Sequence, residues 1–261
     1  CAPQTAEQWQ IIAVDNGSTD QSRTLLGGFI GRLPLTIIDA SARPGPSFAR
    51  NVGARVAAAH KLLFIDADDE VAPGYVAALS NALNTHELVT SRVDSVSLNA
   101  EWVRAACGSP WQRDGVSTQL DFLPAAGSNV GIRRGLFQRL GGFPEMFAGS
   151  EDVAFSWNAY LAGAVVHVVP DALYRYRSRE TLRSLLRQSS NWGRETVLLF
   201  RHYRDHGMAG GSLATACREW HAVIQGLLCA RDRAQSAHYI FRLGYCLGRI
   251  HGTILYRVMY L

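Results

Sequence analysis

Between residues 11 and 93, short apolar runs alternate with helix-patterned stretches, and two of the runs stop at an aspartate. Ile11-Ile12-Ala13-Val14 ends at Asp15, and Leu62-Leu63-Phe64-Ile65 ends at Asp66. Leu35 to Ile38 reads as a further strand and Leu88 to Val93 as a fourth. Asp20 suits the cap of a helix running through Phe29, and Ser47 the cap of one running to His60. Pro73 suits the first turn of a helix that ends near Asn84. Strand–helix alternation with short loops predicts right-handed βαβ units and an α/β fold with a largely parallel sheet. Ligands of such sheets bind beyond the carboxyl ends of the strands, which places Asp15 and Asp66 at a crevice.

Composition is consistent with that frame. The chain has 261 residues, 48% of them hydrophobic and 18% charged, so it can bury a core and is not a disordered or low-complexity protein. Its net charge of +4 suits an anionic small ligand and does not call for nucleic acid. Cys1, Cys107, Cys217, Cys229 and Cys246 are widely spaced and contain no CxxC pair. They read as reduced, mostly buried thiols of a cytosolic protein, not as a zinc site. No uncharged apolar run approaches the ~18 residues of a membrane span.

Residues 95–126 are irregular, and a strand-like piece follows at Gly127 to Ile132. Glu151 to Ala162 has helical spacing, with Ser150 as a candidate cap. Ala164 to Val169 and Leu173 to Arg177 read as two short strands. From Thr181 the pattern is helical, broken at Gly207, Gly210 and Gly211. Residues 238–261 mix Arg242, Arg249 and Arg257 with Tyr, Ile and Leu. A helix packed on the rest of the protein fits this pattern, and so does peripheral attachment to anionic lipid at the inner face of a membrane.

The acids carry the chemistry. Asp66-Ala67-Asp68-Asp69-Glu70 packs four carboxylates into five residues. It suits either a solvated turn with a helix cap or a hard-cation site for Mg²⁺ or Mn²⁺. Asp15 to Asp20 suits a tight turn. It lacks the spacing of a calcium loop, a Walker A lysine and a GxGxxG. Glu151-Asp152 opens a helix, where the dipole favours acids and where a general base can sit. His202 and His206 stand four apart without further ligands and read as a solvated helix face. The arginines around Tyr174-Arg175-Tyr176-Arg177 and Arg179 suit either an edge strand or contacts to phosphate.

VDNGSTD, FARNVGA, FIDADDEVAPGYV, GSNVGIRRGLFQRLGGFPE and SEDVAFSWNAYLAG stand in one order over about residues 9–177. In that order and rough spacing they resemble family 2 glycosyltransferases, inverting enzymes of the GT-A fold. The resemblance implies a GT-A domain over 1–177 and a helical extension over 178–261 packed on it. It implies that Asp15, with Asn16 and Ser18, reads the base of a UDP, dTDP or GDP sugar. Arg50 would lie near the base or diphosphate, and Asp66 would contact the ribose or donor sugar. Asp68 would ligate Mg²⁺ or Mn²⁺, and Gly127, Ser128 and Asn129 would lie beneath the donor sugar and beside the acceptor. Asp152 would be the catalytic base, with Glu151 in support. The implied acceptor is a hydroxyl of a glycan, a lipid-linked molecule or a small molecule, in cell-envelope glycan synthesis.

Three departures stand out. Ala154 occupies the place of a common third acid after Glu151-Asp152. The base-reading motif begins Asp-Asn where Asp-Asp is commoner. Arg187-Gln188-Ser189-Ser190-Asn191-Trp192 lacks the Arg-Trp pair of processive synthases, which argues against a polysaccharide synthase. A non-catalytic nucleotide-sugar-binding relative on the same fold is the alternative function. A nucleotidyltransferase would want a Gly-rich basic loop after its first strand, which is absent here. Only Cys1 to Gln10 precede the VDNGSTD strand, whereas family members usually carry a further strand, turn and helix ahead of it. The expectation is a domain lacking about 30–40 residues of βα structure, with its base-binding wall incomplete.

Overall fold

A computed structural model of the chain describes residues 9–107, 116–117, 125–126 and 129–260. The predicted Gly127 and Ser128 lie outside the described residues, as do Cys1 and the side chain of Cys107.

The strands are β1 (Ile11–Asp15), β2 (Leu35–Asp39), β3 (Lys61–Phe64), β4 (Glu70–Val71), β5 (Leu88–Asp94), β6 (Val116–Ser117), β7 (Ala125–Ala126), β8 (Val130–Arg133) and β9 (Val166–Arg175). The helices are α1 (Ser22–Gly27), α2 (Pro46–Val56), α3 (Tyr75–Ala82), α4 (Glu101–Cys107), α5 (Arg134–Arg139), α6 (Glu151–Leu161), α7 (Leu182–Tyr203), α8 (Leu213–Cys229) and α9 (Arg233–Tyr256). A 3₁₀ turn at Arg204–His206 follows α7.

The chain divides into two compact units. The first comprises the described residues of Cys1–Ala67, Val71–Arg92 and Ala125–Tyr174; the second comprises those of Asp68–Glu70, Val93–Pro124 and Arg175–Leu261. In the first, β1 and β2 form a parallel pair in register from Ile11–Leu35 to Asp15–Asp39. Among the described residues this pair is not hydrogen-bonded to the five-stranded sheet, whose order is β3-β8-β5-β9-β4. β8 lies antiparallel to both β3 and β5, so those two run in one direction, as the βαβ reading of residues 61–93 requires. The antiparallel strand between them, β8, falls on the strand-like piece expected at Gly127 to Ile132; its direction departs from the expected largely parallel sheet.

Several boundaries differ from the sequence reading. Ser47 does not cap α2. The cap is Gly45, and Ser47 lies buried in the first turn with its hydroxyl toward the carbonyls of Pro144 and Phe147. α2 stops at Val56, not His60. α1 is the shorter Ser22–Gly27, with Asp20 accepting from the Ser22 amide. Ser150 stands at the N-cap of α6 without a side-chain cap bond. The two strands expected over 164–177 are one, β9, which runs through Pro170 and Asp171 because both are exposed and extended. Cys217 and Cys229 are exposed and only Cys246 is buried, so the expectation of mostly buried thiols fails among the described cysteines.

The core of the first unit is built from α2, β3, β5, β8, α5 and α6 around Leu62, Leu88, Val130, Ile132, Leu136 and Phe155. Phe64, Phe137, Phe143 and Phe155 form an aromatic cluster. Phe64 meets Phe143 edge-on at 4.9 Å, and Phe143 stacks on Phe155 at 4.3 Å. Asn51 on α2 fixes the loop that carries Phe143. Its carboxamide accepts from the Phe143 amide at 2.8 Å and donates to the Phe143 carbonyl at 2.9 Å. Gly142 has φ +81°, and a Cβ there would stand 2.6 Å from Asn51 Oδ1, so this turn requires glycine.

In the second unit α7 packs along α9. The spacing Gly244-xxx-Gly248-xxx-Gly252 with Gly193 brings the two backbones together: a methyl at Gly248 would fall on the Ser190 carbonyl, and one at Gly193 on the Tyr245 carbonyl. Thr181 caps α7 with a reciprocal Ser184 bond, and Asp232 caps α9 through the Gln235 amide.

Candidate active site

The aromatic cluster positions three charged groups of the first unit. Asp66 follows Phe64 by two residues off the end of β3. Glu151 precedes Phe155 by one helical turn at the start of α6. Arg50 on α2 lies over the Phe143 ring, 5.2 Å from its centroid. The Arg50 guanidinium donates to Asp66 Oδ1 at 2.5 Å and to Glu151 Oε1 at 2.6 Å. Its side chain is 12% exposed and that of Glu151 8%, so the pair is largely desolvated. The two carboxylates hold Arg50 well above the ordinary arginine range, against the opposing effect of burial. Glu151 Oε2 is buried with no hydrogen-bond partner among the described residues.

Asp152 stands next to this network at the second position of α6. Burial, reinforced by the neighbouring Glu151 charge, pushes its carboxyl up to about 7, with Arg50 and the Val153 amide opposing the rise. Oδ1 accepts from the Val153 amide at 2.8 Å. A carboxyl poised near neutrality at a helix start is suited to take and give up a proton.

Asp15 ends β1 almost fully buried. Its Oδ1 accepts from the Ser18 amide at 2.9 Å, and Arg23 lies 3.5 Å from Oδ2. The Ser18 bond and, after it, the Arg23 charge keep Asp15 below the usual carboxylate range, so it is an anionic acceptor at the carboxyl end of its strand.

Two predicted donor-site residues, Asn16 and Asn129, are engaged in hydrogen bonds within the protein. Asn16 donates to the carbonyls of Ala40 and Arg43 at 2.5 and 2.8 Å and accepts from the Gly45 amide at 2.8 Å. That ties the β1 turn to the approach of α2. Asn129 is buried; its Oδ1 accepts from the Ser91 amide at 3.0 Å and from the hydroxyls of Thr90 and Ser91. It pins the start of β8 to β5. Sequence reasoning missed Asn51, whose only signal was its place beside Arg50.

The division of the chain falls within the acidic segment, between Ala67 and Asp68. In the second unit, Asp68 Oδ2 meets Arg179 at 3.0 Å and the Asp68 carbonyl accepts from Arg177 Nε at 2.9 Å. Asp69 Oδ1 accepts from the Arg177 amide at 2.6 Å, and Glu70 pairs with Arg177 at 3.1 Å. Asn99 holds this arginine strand, donating to the Tyr176 carbonyl and accepting from the Ser178 amide at 2.7 Å each. Arg177 and Arg179 therefore offset the mutual repulsion of Asp68, Asp69 and Glu70. His202 and His206 are exposed, as expected of a solvated helix face.

The first unit thus holds a strand-end acid, an arginine joining two further acids and a raised carboxyl at a helix start. The model of the glycosyl transferase family 2 matches residues 1–141 of the 261. The chain belongs to glycosyl transferase family 2. This family 2 chain is 32% identical over 139 residues to the uncharacterized glycosyltransferase YibD of Escherichia coli (strain K12), covering 52% of this chain and 38% of that protein. It is 25% identical over 194 residues to the putative polypeptide N-acetylgalactosaminyltransferase 13 of Drosophila melanogaster, covering 62% and 34%. It thus spans little more than a third of the curated relatives it matches. The mannosyltransferase PcManGT from Pyrobaculum calidifontis, solved with GDP-Man and Mn²⁺, superposes with TM-score 0.57 at 17% identity over 92% of this chain and 77% of that one. S. aureus TarS superposes with TM-score 0.51 at 17% identity over 92% and 49%. These likenesses establish the GT-A fold.

Proposed function

We propose that the chain transfers a sugar from a nucleotide-diphosphate sugar to an acceptor hydroxyl, with inversion at the anomeric carbon. The observation that carries this reading is the Asp66–Arg50–Glu151 network beside a half-buried Asp152 raised to about 7. The acceptor oxygen attacks the anomeric carbon as the bond from that carbon to the diphosphate oxygen breaks. The nucleoside diphosphate leaves with the bonding electrons, and Asp152 receives the acceptor proton. A single displacement inverts the configuration. Glu151, held by Arg50, fixes the start of α6 and keeps Asp152 in place. Asp15 accepts from the donor's base, and Asp66 uses its second oxygen on the ribose or sugar. The structures of PcManGT with GDP-Man and of TarS with UDP-GlcNAc support a nucleotide-sugar donor.

The donor set of the second unit fits a divalent metal: Asp68 and Asp69 offer only hard carboxylate oxygens. Asp68 would hold Mg²⁺ or Mn²⁺, its side chain being 44% exposed. The ion supplies Lewis-acid stabilisation of the departing diphosphate. PcManGT and GalNAc-T7 were both solved with Mn²⁺.

The test is a panel of UDP-, dTDP- and GDP-sugars screened by thermal shift with Mn²⁺ or with chelator. Stabilisation by at least one donor, dependent on metal, is expected; none from any donor contradicts the reading. Metal-dependent binding without donor hydrolysis or transfer would favour the non-catalytic alternative.

A further inference from the structure

The second unit carries an apolar surface that no packing explains. On α8, Leu213, Ile224 and Leu228 recur at helical spacing and are exposed, Leu228 at 82%. On α9, Leu247, Ile250 and Ile254 form a second stripe, with Ile254 at 72% and Met259 beyond the helix also at 72%. Between the two helices lies a cleft of about 210 Å³ lined by Trp220 of α8 and by Cys246, Ile250 and Ile254 of α9, among others. The stripes and the cleft make one face, and such a face is exceptional on a surface without a partner.

Charge decides the partner. Over residues 213–261 there are six arginines, Arg218, Arg231, Arg233, Arg242, Arg249 and Arg257, against Glu219 and Asp232. The acids are engaged: Glu219 pairs with Arg249, and Asp232 caps α9. Arg218, Arg257, His221 and His251 are exposed on α8, on α9 and just beyond it. Two copies joined through this face would bring like charges together, which opposes self-association. An apolar helix pair with a cationic border matches the interfacial region of an anionic bilayer.

We infer that the outer face of α8 and α9 docks on anionic lipid, with Leu228, Ile254 and Met259 entering the acyl boundary and Arg218 and Arg257 meeting headgroups. This broadens the surface from the 238–261 segment of the sequence to a two-helix face, and it stands apart from the choice of donor. The test is flotation of the full chain with phosphatidylglycerol vesicles and with phosphatidylcholine vesicles. Binding to the former, weakened by salt, is expected. The double variant Leu228→Glu with Ile254→Glu, at exposed positions, should lower affinity by more than about tenfold. Arg218→Ser with Arg257→Ser should lower it roughly 30-fold, at ~1 kcal/mol per arginine near the surface. Circular dichroism checks that each variant is folded. If the glutamate variant misfolds, the arginine variant alone decides. Failure to float with phosphatidylglycerol overturns the inference. So does equal flotation with both lipids, or a concentration-dependent dimer in light scattering that the glutamate variant abolishes.

Discussion

Asp152 and Arg50 have separable duties. Replacing Asp152 with Asn removes the proton acceptor and keeps the shape, so transfer should fall ~10²–10⁴-fold while donor binding persists. Initial rates beside a donor titration check this. The pH dependence follows from the same carboxyl. Activity should rise through about pH 7 as Asp152 loses its proton, and that limb should vanish in Asp152→Asn. The stability contribution has the opposite slope. Between the ordinary aspartate value of 3.8 and about 7 the native chain keeps a proton that the unfolded chain has released. Unfolding free energy therefore falls as pH rises across that window, and denaturant melts at pH 4.5 and 7.5 measure it. Arg50→Met leaves a buried Glu151 unpaired and should cost about 3–5 kcal/mol, read as a lower urea midpoint. The candidate acids were legible because each follows a strand or opens a helix. The scaffolding duties of Asn16 and Asn129 were not, since an amide side chain in a turn gives no sign of which carbonyls it will meet.

At the scale of elements, the aromatic cluster links the fold to the site. Phe64 sits two residues from Asp66, Phe155 one turn from Glu151, and Phe143 under Arg50. Phe143→Ala should cost about 3–5 kcal/mol by opening a cavity. It should also weaken nucleotide-sugar binding although Phe143 carries no polar group; calorimetry with urea unfolding separates the two effects. β1, β2, β3 and β5 were readable because alternation of apolar runs and turns has few other solutions. The strand-like piece that became β8 was readable too, but its antiparallel insertion was not, since direction depends on the partner strands; nor was the continuity of β9, because a proline inside a strand breaks the pattern that marks it. The α9 glycines were also silent in sequence, since their meaning depends on α7 lying across them. Gly248→Val would collide with the Ser190 carbonyl and should separate the two helices, seen as a loss of cooperative unfolding.

For the whole molecule, the family assignment rests on residues 1–141, while the proposed base Asp152 lies just beyond them on α6. The second unit adds the arginine-buffered acidic segment and a helix pair with an exposed apolar face. Among the described residues no helix is long and apolar enough to cross a membrane. In the proposed reaction Asp152 receives the acceptor proton as the nucleoside diphosphate leaves the donor sugar. The most direct measurement is nucleoside diphosphate release from UDP-, dTDP- and GDP-sugars with Mn²⁺, for the wild-type chain and for Asp152→Asn. Release from at least one donor by the wild type, and its loss in a variant that still binds that donor, is the expected result. Equal release by both proteins would contradict the account.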